Sequence, residues 1–262
     1  MLARNMLSAP KEKTVALMYH ALGETEGPGI DPHYAVDTAV FVEHMALCIR
    51  RGGAVVNAKQ WLAGQAGVIV TFDDGHLTNY LHGFPALAAI KGSADFFVNP
   101  AQVGTDGFAS WAQLREMADG GMSIQSHGLD HRYYLTDLSP EKLRDDLRRA
   151  RLEIEEHVGH PCTLLAPPGG RAPAGLERVA QEVGYTHVLT SKPGTIKRGS
   201  GTSLCRLAVT RPLSIATLDS WLTGGRELRR TQVRQAVLDA AKRVLGDRRY
   251  EAVRRRLLQK AS

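Results

Sequence analysis

The sequence is short of cysteine, and it has no long apolar run. Its three cysteines, Cys48, Cys162 and Cys205, lie far apart in 262 residues, and none belongs to a C-x-x-C motif. We therefore expect free structural thiols rather than a disulfide framework, a zinc finger or a redox motif. No stretch approaches the roughly 18 apolar residues of a membrane-spanning helix. Residues 1–13 also lack the apolar core, about 7 to 15 residues long, of a secretory signal. These absences predict a cytoplasmic protein.

Positive charge is in excess, but it is concentrated in one part of the chain. Residues 226–262 contain 12 Lys or Arg and 4 Asp or Glu, a net charge of +8 against +6 for the whole chain, which leaves −2 for residues 1–225. We therefore divide the chain into a domain, 1–225, and a basic tail, 226–262. Aromatic residues make up only 6% of the chain, and no nucleic-acid-binding motif accompanies the charge, so nucleic acid is not expected as a partner.

The tail is predicted to form two basic amphipathic helices separated at Gly246-Asp247. Its apolar residues recur at helical spacing: Val233, Val237, Ala240, Ala241, Val244, Leu245, Tyr250, Val253, Leu257 and Leu258. Such helices suit an anionic membrane surface, which would place the protein at the inner membrane surface. The alternative is that the apolar stripes pack on the rest of the protein and leave the cations solvated.

Strand-like and helix-like segments alternate along residues 14–223, without an internal repeat. The predicted strands are 14–19, 54–57, 67–72, 94–98, 122–126, 163–166, 186–190 and 204–209. The predicted helices are 38–51, 78–91, 111–119, 140–158, 173–183 and 214–223. This order is typical of parallel strands joined by helices, either in a barrel or in a doubly wound sheet. A length of 262 residues suits a (β/α) barrel.

Two adjacent carboxylates follow one of these strands. The apolar, β-branched run 67–72 is typical of a strand buried on both faces, and Asp73, Asp74 and Gly75 come directly after it. Catalytic groups collect at such strand ends in proteins with parallel strands. Where the strand runs into a turn, both side chains can converge on one pocket, one binding a metal and the other taking a proton from water. A plain polar turn is the alternative.

A histidine pair, His127 and His131, follows another predicted strand. If the chain turns helically there, residues four apart lie on one face. Two imidazoles and one carboxylate make a three-ligand set that leaves a position for water, as in catalytic zinc sites. Polar surface residues are the alternative for the histidine pair alone. Taken together, the two motifs predict a divalent-metal hydrolase. Zinc is the default ion, with Co, Ni, Mn and Fe also compatible.

The order of these motifs resembles polysaccharide deacetylases of the NodB-homology type, carbohydrate esterase family 4. The resemblance covers roughly residues 14–212 and rests on the following segments: Leu17-Met18-Tyr19-His20, Thr71-Phe72-Asp73-Asp74-Gly75, Ser126-His127-x-x-x-His131 with Leu135 and Leu138-Ser139, Pro167-Pro168-Gly169-Gly170, and Gly184-Tyr185 to Thr190.

The resemblance implies a distorted (β/α) barrel of seven or eight strands. It also implies that Asp74, His127 and His131 bind the metal and that Asp73 acts as the base. By the same analogy, the backbone N–H of Gly169 would stabilise the oxyanion that forms during amide hydrolysis.

This chain departs from the family pattern in two places. The family's third motif often carries an Arg that orients the catalytic Asp, but Ala166 stands at that position, and Arg171 is the nearest arginine. Many members also supply a proton-donating His from a late Leu-x-x-His motif, whereas the last histidine here is His187. We consider His20 the best replacement donor, ahead of His187 and His33.

From sequence we therefore predict an N-deacetylase acting on an N-acetylated saccharide intermediate of cell-envelope polysaccharide synthesis. Hydrolysis of a non-sugar amide or cyclic imide on the same fold is an alternative. A catalytically impaired carbohydrate-binding protein is another. Aromatic residues that could stack on a sugar, or equally belong to the core, are Tyr19, Tyr34, Tyr80, Trp111, Tyr133 and Tyr134.

Overall fold

The computed structural model describes residues 12–132, 138–170 and 172–245. Its strands are β1 (Lys13–Thr14), β2 (Ala16–Tyr19), β3 (Val55–Val56), β4 (Val68–Phe72), β5 (Asp95–Val98), β6 (Ser123–Ser126), β7 (Leu164–Leu165), β8 (His187–Leu189), β9 (Ile196–Lys197), β10 (Ser203–Leu204) and β11 (Leu207–Ala208). Its α-helices are α1 (Thr38–Gly52), α2 (Ala58–Leu62), α3 (Phe84–Ala89), α4 (Trp111–Asp119), α5 (Pro140–Val158), α6 (Leu176–Glu182), α7 (Ile215–Leu222) and α8 (Arg226–Leu245).

The main sheet is parallel and curled, as the sequence predicted for a barrel. Eight strands follow one another in the order β10-β8-β7-β6-β5-β4-β2-β11, and β3 pairs with the first residues of β4. Strands β1 and β9 form a separate antiparallel pair. The predicted distorted (β/α) barrel is thereby confirmed.

A single six-residue segment closes the barrel. Residues 203–204 pair in parallel with β8, and residues 207–208 pair in parallel with β2, so the segment joins the two edges of the sheet. The sequence predicted one strand over 204–209, but the pairing changes partner at Cys205 and Arg206. This break gives Arg206 a position between the two edges.

Alternate residues of the strands face different cores. Leu17, Val70 and Phe96 belong to the large cluster that also includes residues of α1, α4 and α5, so these side chains point outward to the helices. Their neighbours along the strands face the inside of the barrel and, with residues of α2 and β9, form a second cluster: Ala16, Val56, Ala58, Trp61, Ile69, Phe97, Leu164, Ala166, Leu189, Ile196 and Leu204. In β4 the side chains of Ile69 and Thr71 point into the barrel, and Asp73, the first residue after the strand, continues this alternation.

Most predicted helices begin and end within a few residues of their observed limits. Ser139 caps α5 by accepting a hydrogen bond from the Lys142 N–H at 3.3 Å, and Pro140 occupies the first turn. Sequence reasoning missed α2, which is too short for a periodic signal. This helix lies across the end of the barrel where the strands begin. Its Lys59 donates to the carbonyl of Pro161, just before β7, at 2.6 Å.

The three cysteines are free, as predicted, with Cys48 and Cys162 fully buried. Over the described residues no helix is long and apolar enough to cross a bilayer. The predicted domain boundary after residue 225 falls in the turn between α7 and α8. The predicted break at Gly246-Asp247 and the second tail helix lie outside the described residues.

Candidate active site and metal centre

The carboxyl ends of the parallel strands bring the predicted site residues to one end of the barrel. His20 follows β2, Asp73 and Asp74 follow β4, and His127 follows β6. The loop 166–170, which contains Gly169, follows β7. His187 is the first residue of β8, so it lies at the opposite end of the barrel and cannot serve this site.

Asp74 turns toward the histidines through a rare backbone conformation. Its φ is +74°, and that of Gly75 is +76°, so the chain leaves the strand in a left-handed turn. A residue with a side chain adopts this region only rarely. As a result Asp73 and Asp74, which are consecutive, both reach the mouth of the barrel.

The two histidines converge, but they do so without a helical turn. Residues 127–131 form an irregular loop in which Gly128 has φ +81° and His131 has φ +57°. The expectation of helical i, i+4 geometry is therefore wrong. The rings still meet, with their centroids 5.3 Å apart. Asn99 supports the loop by donating its amide to the carbonyl of His127 at 2.6 Å.

Three ligand atoms face one another at this point. Asp74 Oδ1 lies 3.3 Å from His127 Nε2 and 3.1 Å from His131 Nε2. His127 Nδ1 lies 2.8 Å from the carbonyl oxygen of Ala166. If Nδ1 carries the proton and donates it there, Nε2 keeps its lone pair for a metal.

The donor set fits a divalent cation. Asp74 Oδ1 is buried and has no hydrogen-bond partner among the described residues, although two imidazole nitrogens lie close to it. Burial acts to raise the pKa of Asp74, but its contacts with His127, His131 and His76 hold that pKa well below the usual value. The carboxylate is therefore ionised, and Asp74, His127 and His131 form a candidate three-ligand site.

Asp73 is held by an arginine that the sequence analysis did not select. Arg206 is fully buried, and its Nη1 and Nη2 donate to the two Asp73 oxygens at 2.6 and 2.8 Å. Nη1 also donates to Thr71 Oγ1 at 3.2 Å, and the guanidinium carbon lies 5.2 Å from the centre of the Phe97 ring. Such a two-pronged contact fixes both the position and the charge of the carboxylate.

The electrostatic effect on Asp73 follows from these contacts. Burial is the largest single influence and disfavours the ionised form, but the charge and hydrogen bonds of Arg206, together with His127 and His20, outweigh it and lower the pKa of Asp73. Arg206 thus makes the contact with Asp73 that the resemblance assigned to an arginine at the position of Ala166. The sequence did contain a signal for Arg206, since it is a charged residue inside the otherwise apolar run 204–209. Arg171, the other candidate, lies outside the described residues.

His20 is half-buried beside these groups, and its ring packs against Tyr34 at a tilt of 36°, with the ring centroids 4.6 Å apart. Burial lowers the pKa of His20, although the negative charges of Asp74 and Asp73 act in the opposite direction. His33, the other candidate donor, is exposed and packs edge-on against Tyr34 at 5.0 Å. The role of His20 as proton donor stays a prediction.

Gly169 lies on the same end of the barrel, in a turn that follows β7. Its φ is +62°, and the next residue, Gly170, has φ +65°. A Cβ atom on Gly170 would lie 2.5 Å from Ser191 Oγ, so the turn packs closely against the segment after β8. The oxyanion role of the Gly169 N–H stays a prediction.

The aromatic candidates separate clearly in the structure. Tyr19 belongs to the outer core, Tyr80 donates to Glu116 on the helical layer, and Trp111 stacks on His157. Among the described candidates, only Tyr34 adjoins the site. Tyr133 and Tyr134, like Leu135, lie outside the described residues.

The known proteins that this chain resembles are deacetylases of polysaccharide or peptidoglycan. Residues 63–188 match the family model described as polysaccharide deacetylase. A Bacillus subtilis protein named as a polysaccharide deacetylase, YxkH, is 29% identical over 51% of this chain and 48% of its own length. The peptidoglycan-N-acetylglucosamine deacetylase of Bacillus cereus is 31% identical over 47% of this chain and 56% of its own. The matches therefore span about half the length of these two curated relatives.

Among solved structures, IcaB from Ammonifex degensii is 27% identical, with a TM-score of 0.66. The superposition covers 85% of this chain and 98% of that one. The likeness extends beyond the segment matched by the family model and includes most of the barrel.

The neighbouring carboxylates should separate metal binding from catalysis. We expect Asp73→Asn to keep zinc affinity but to lose at least about 10²-fold in rate, because it removes the predicted base and leaves the predicted ligands. Asp74→Asn should weaken zinc binding itself. Titration calorimetry and rate measurements on both variants check this. The double variant His127→Ala, His131→Ala shows the affinity and the rate that remain when two of the three candidate ligands are removed. Equal loss of metal in the two Asp variants would contradict the division of roles.

Replacing Arg206 should change the pH dependence as well as the rate. Arg206 lowers the pKa of Asp73, so in Arg206→Met that pKa rises and the base is protonated at a higher pH. We expect the acidic limb of the pH–rate profile to move upward in pH, and the rate at neutral pH to fall by about 10²-fold or more. Arg206→Lys should be intermediate.

The control is Arg151→Met, which removes a partly buried arginine paired with Glu155 at 3.0 Å, away from the site. A general loss of packing would lower rate and thermal stability without moving the acidic limb. That result would contradict a role for Arg206 in holding Asp73 ionised.

Proposed function

Because residues 63–188 belong to the polysaccharide deacetylase family, we propose that this protein is a metal-dependent carbohydrate N-deacetylase. Its substrate would be an N-acetylated sugar or saccharide intermediate of cell-envelope polysaccharide synthesis. The observation that carries the proposal is the pairing of an ionised, immobilised Asp73 with the three-ligand group at Asp74, His127 and His131.

Asp74, His127 and His131 would hold one divalent ion, with zinc as the default. When bound, such an ion lowers the pKa of a coordinated water and polarises a carbonyl oxygen. The chemistry of amide hydrolysis requires both effects at neutral pH. The three ligands span two strand ends, so the barrel itself fixes their spacing.

The chain's own groups supply the remaining steps. Asp73 accepts a proton from the attacking water, and Arg206 keeps Asp73 ionised and aligned for that transfer. The N–H of Gly169 stabilises the oxyanion that forms on the amide carbonyl. The proton delivered to the departing amine comes from His20, and Tyr34 supports the His20 ring through a tilted ring contact.

Support for a sugar substrate comes from two sources. The Bacillus cereus relative is named for N-acetylglucosamine in peptidoglycan. In this chain Tyr34 is half-buried next to the site, where an aromatic face can pack against a sugar ring. Hydrolysis of a non-sugar amide or cyclic imide remains the second candidate, since the catalytic groups act on the C–N bond. Arg206 supplies the contact to Asp73 that the lack of an arginine at Ala166 had put in doubt, which weakens the alternative of a catalytically impaired protein.

The activity test uses a panel of N-acetylated nucleotide-sugars, lipid-linked saccharides and oligosaccharides, with a set of cyclic imides and simple amides alongside. We expect zinc- or cobalt-loaded protein to release acetate from at least one saccharide, and the Asp73→Asn variant to release at least about 10²-fold less. Acetate and free amine should appear in equal amounts. Turnover of the imides alone would support the second candidate and contradict the first.

The location and the partner of the tail complete the proposal. We propose a cytoplasmic protein that contacts anionic lipid at the inner membrane surface through α8. One face of α8 packs on α7: Leu228 is buried, and Trp221 Nε1 donates to Thr231 Oγ1 at 3.3 Å. The opposite face carries Arg226, Arg229, Arg230, Val233 and Val237.

On that face the two valines are 64% and 62% exposed, so they do not pack on the barrel. The spacing of these five residues, at 226, 229, 230, 233 and 237, keeps them on one side of the helix. Each arginine near an anionic surface can contribute about 1 kcal/mol. Exposed valines between arginines therefore favour a lipid surface over solvent alone.

We expect the protein to co-sediment with vesicles that contain anionic lipid and to be released at least in part by high salt, which screens charges beyond about 8 Å even at physiological strength. Arg229→Glu combined with Arg230→Glu should abolish binding. The matched control, Arg148→Glu with Arg149→Glu, changes two exposed arginines on α5 and should bind normally. Equal loss of vesicle binding in both double variants would indicate an effect of net charge and contradict a specific role for α8.

A further inference from the structure

A third histidine, His76, contacts the candidate metal-ligand carboxylate from the side away from His127 and His131. Its Nε2 lies 3.5 Å from Asp74 Oδ2, whereas His127 and His131 face Asp74 Oδ1. The two oxygens of Asp74 thus have different surroundings. One faces the candidate metal position, and the other faces an imidazole.

The His76 ring is held in place by its surroundings and not by Asp74 alone. The side chain is 1% exposed, and the ring stacks on Phe108 with centroids 5.2 Å apart and planes 19° apart. His76 and Phe108 also form an isolated antiparallel bridge. On another side Gly29 approaches so closely that an added Cβ would lie 3.2 Å from His76 Cε1 and 2.6 Å from Phe108 Cζ.

The surroundings of the other ring nitrogen favour a proton on Nε2. His76 Nδ1 is buried and has no hydrogen-bond partner among the described residues. Burying an N–H without an acceptor is costly, so a proton on Nε2, where the Asp74 carboxylate is the acceptor, is favoured over a proton on Nδ1. At 3.5 Å the contact is at the outer limit of a hydrogen bond, and the charge of the carboxylate strengthens the attraction.

A contact to Oδ2 restricts the rotation of the Asp74 carboxylate, whose other side-chain contacts among the described residues are with the two imidazoles that would bind the metal. The Asp74 backbone already lies in the left-handed region at φ +74°, and its carboxylate can rotate about the last bond. If the carboxylate rotated, neither oxygen would keep a fixed position toward His127 and His131. A ring held by Phe108 and Gly29 supplies a fixed donor against which Oδ2 can rest.

We propose that His76 is a positioning residue that donates from Nε2 to Asp74 Oδ2 and so presents Oδ1 as the single metal-ligand oxygen. The proposal rests on the metal-dependent function proposed above. It assigns His76 an effect on metal affinity and coordination geometry, and no direct contact with substrate. Loss of an outer partner of this kind typically lowers metal affinity by about 10- to 100-fold.

The test compares three substitutions at one position in the full-length protein. His76→Phe keeps a ring that can stack on Phe108 but removes the donor. His76→Gln places an amide N–H near the position of Nε2, whereas His76→Asn places it near Nδ1, on the side away from Asp74. Zinc affinity is measured by competition titration, and the geometry of the site by the visible absorption spectrum of the cobalt-loaded protein.

We expect His76→Phe and His76→Asn to bind zinc about 10- to 100-fold more weakly than the unmodified protein and to change the cobalt spectrum. His76→Gln should recover most of the affinity. His44→Phe is the matched control, because His44 is also buried and contacts a hydroxyl, that of Tyr19 at 3.1 Å, on the outer side of the barrel. It should bind zinc normally. Thermal unfolding of each metal-free variant shows whether it is folded.

Four results would overturn the inference. Unchanged zinc affinity in His76→Phe would show that Asp74 needs no such partner, while the proposed function would stand. Failure of Gln to restore binding that Phe and Asn lose would show that the donor is not the cause. A loss as large as that of His131→Ala would make His76 a ligand instead of a positioning residue. Absence of zinc binding in the unmodified protein would overturn the proposed function as well.

Discussion

The buried pair of Arg206 and Asp73 connects the closure of the barrel to the chemistry of its mouth. Arg206 lies between residues 203–204, which pair with β8, and residues 207–208, which pair with β2. Its guanidinium reaches across the interior to the carboxylate that follows β4. Removing either partner would leave an uncompensated buried charge, which typically costs about 3–5 kcal/mol. The orientation of the base therefore depends on the seam where the two edges of the sheet meet.

Much of the fold could be predicted from sequence because the relevant signals are local. Buried parallel strands appear as short β-branched runs, and α5 begins at a Ser-Pro pair that specifies a helix start by itself. The ligand candidates were found for the same reason, since each lies within five residues of the end of a strand. The helical geometry predicted for His127 and His131 was wrong because Gly128 allows a left-handed turn that residue spacing alone does not reveal.

The contacts that were missed are those between distant parts of the chain. Arg206 and Asp73 are 133 residues apart, and only the barrel's curvature brings them together. His76 is adjacent to the recognised motif, but its role depends on Phe108 and Gly29, which belong to other segments. A motif identifies which residue types are present, whereas the partner of each side chain is decided by tertiary packing. The same limit applies to α8, whose two faces could be separated only after α7 was placed beside it.

The position of the closing segment has a consequence for biosynthesis. Strand β2 is made early, yet one of its two edges pairs only with residues 207–208, and β8 likewise depends on residues 203–204. Until that short segment has left the ribosome, both sheet edges stay open, and open edges can pair with other chains. Asp73 meanwhile lacks Arg206, whose positive charge offsets the energetic cost of burying the carboxylate. A nascent chain that stops before residue 206 can thus contain every proposed metal ligand and still have no ordered base.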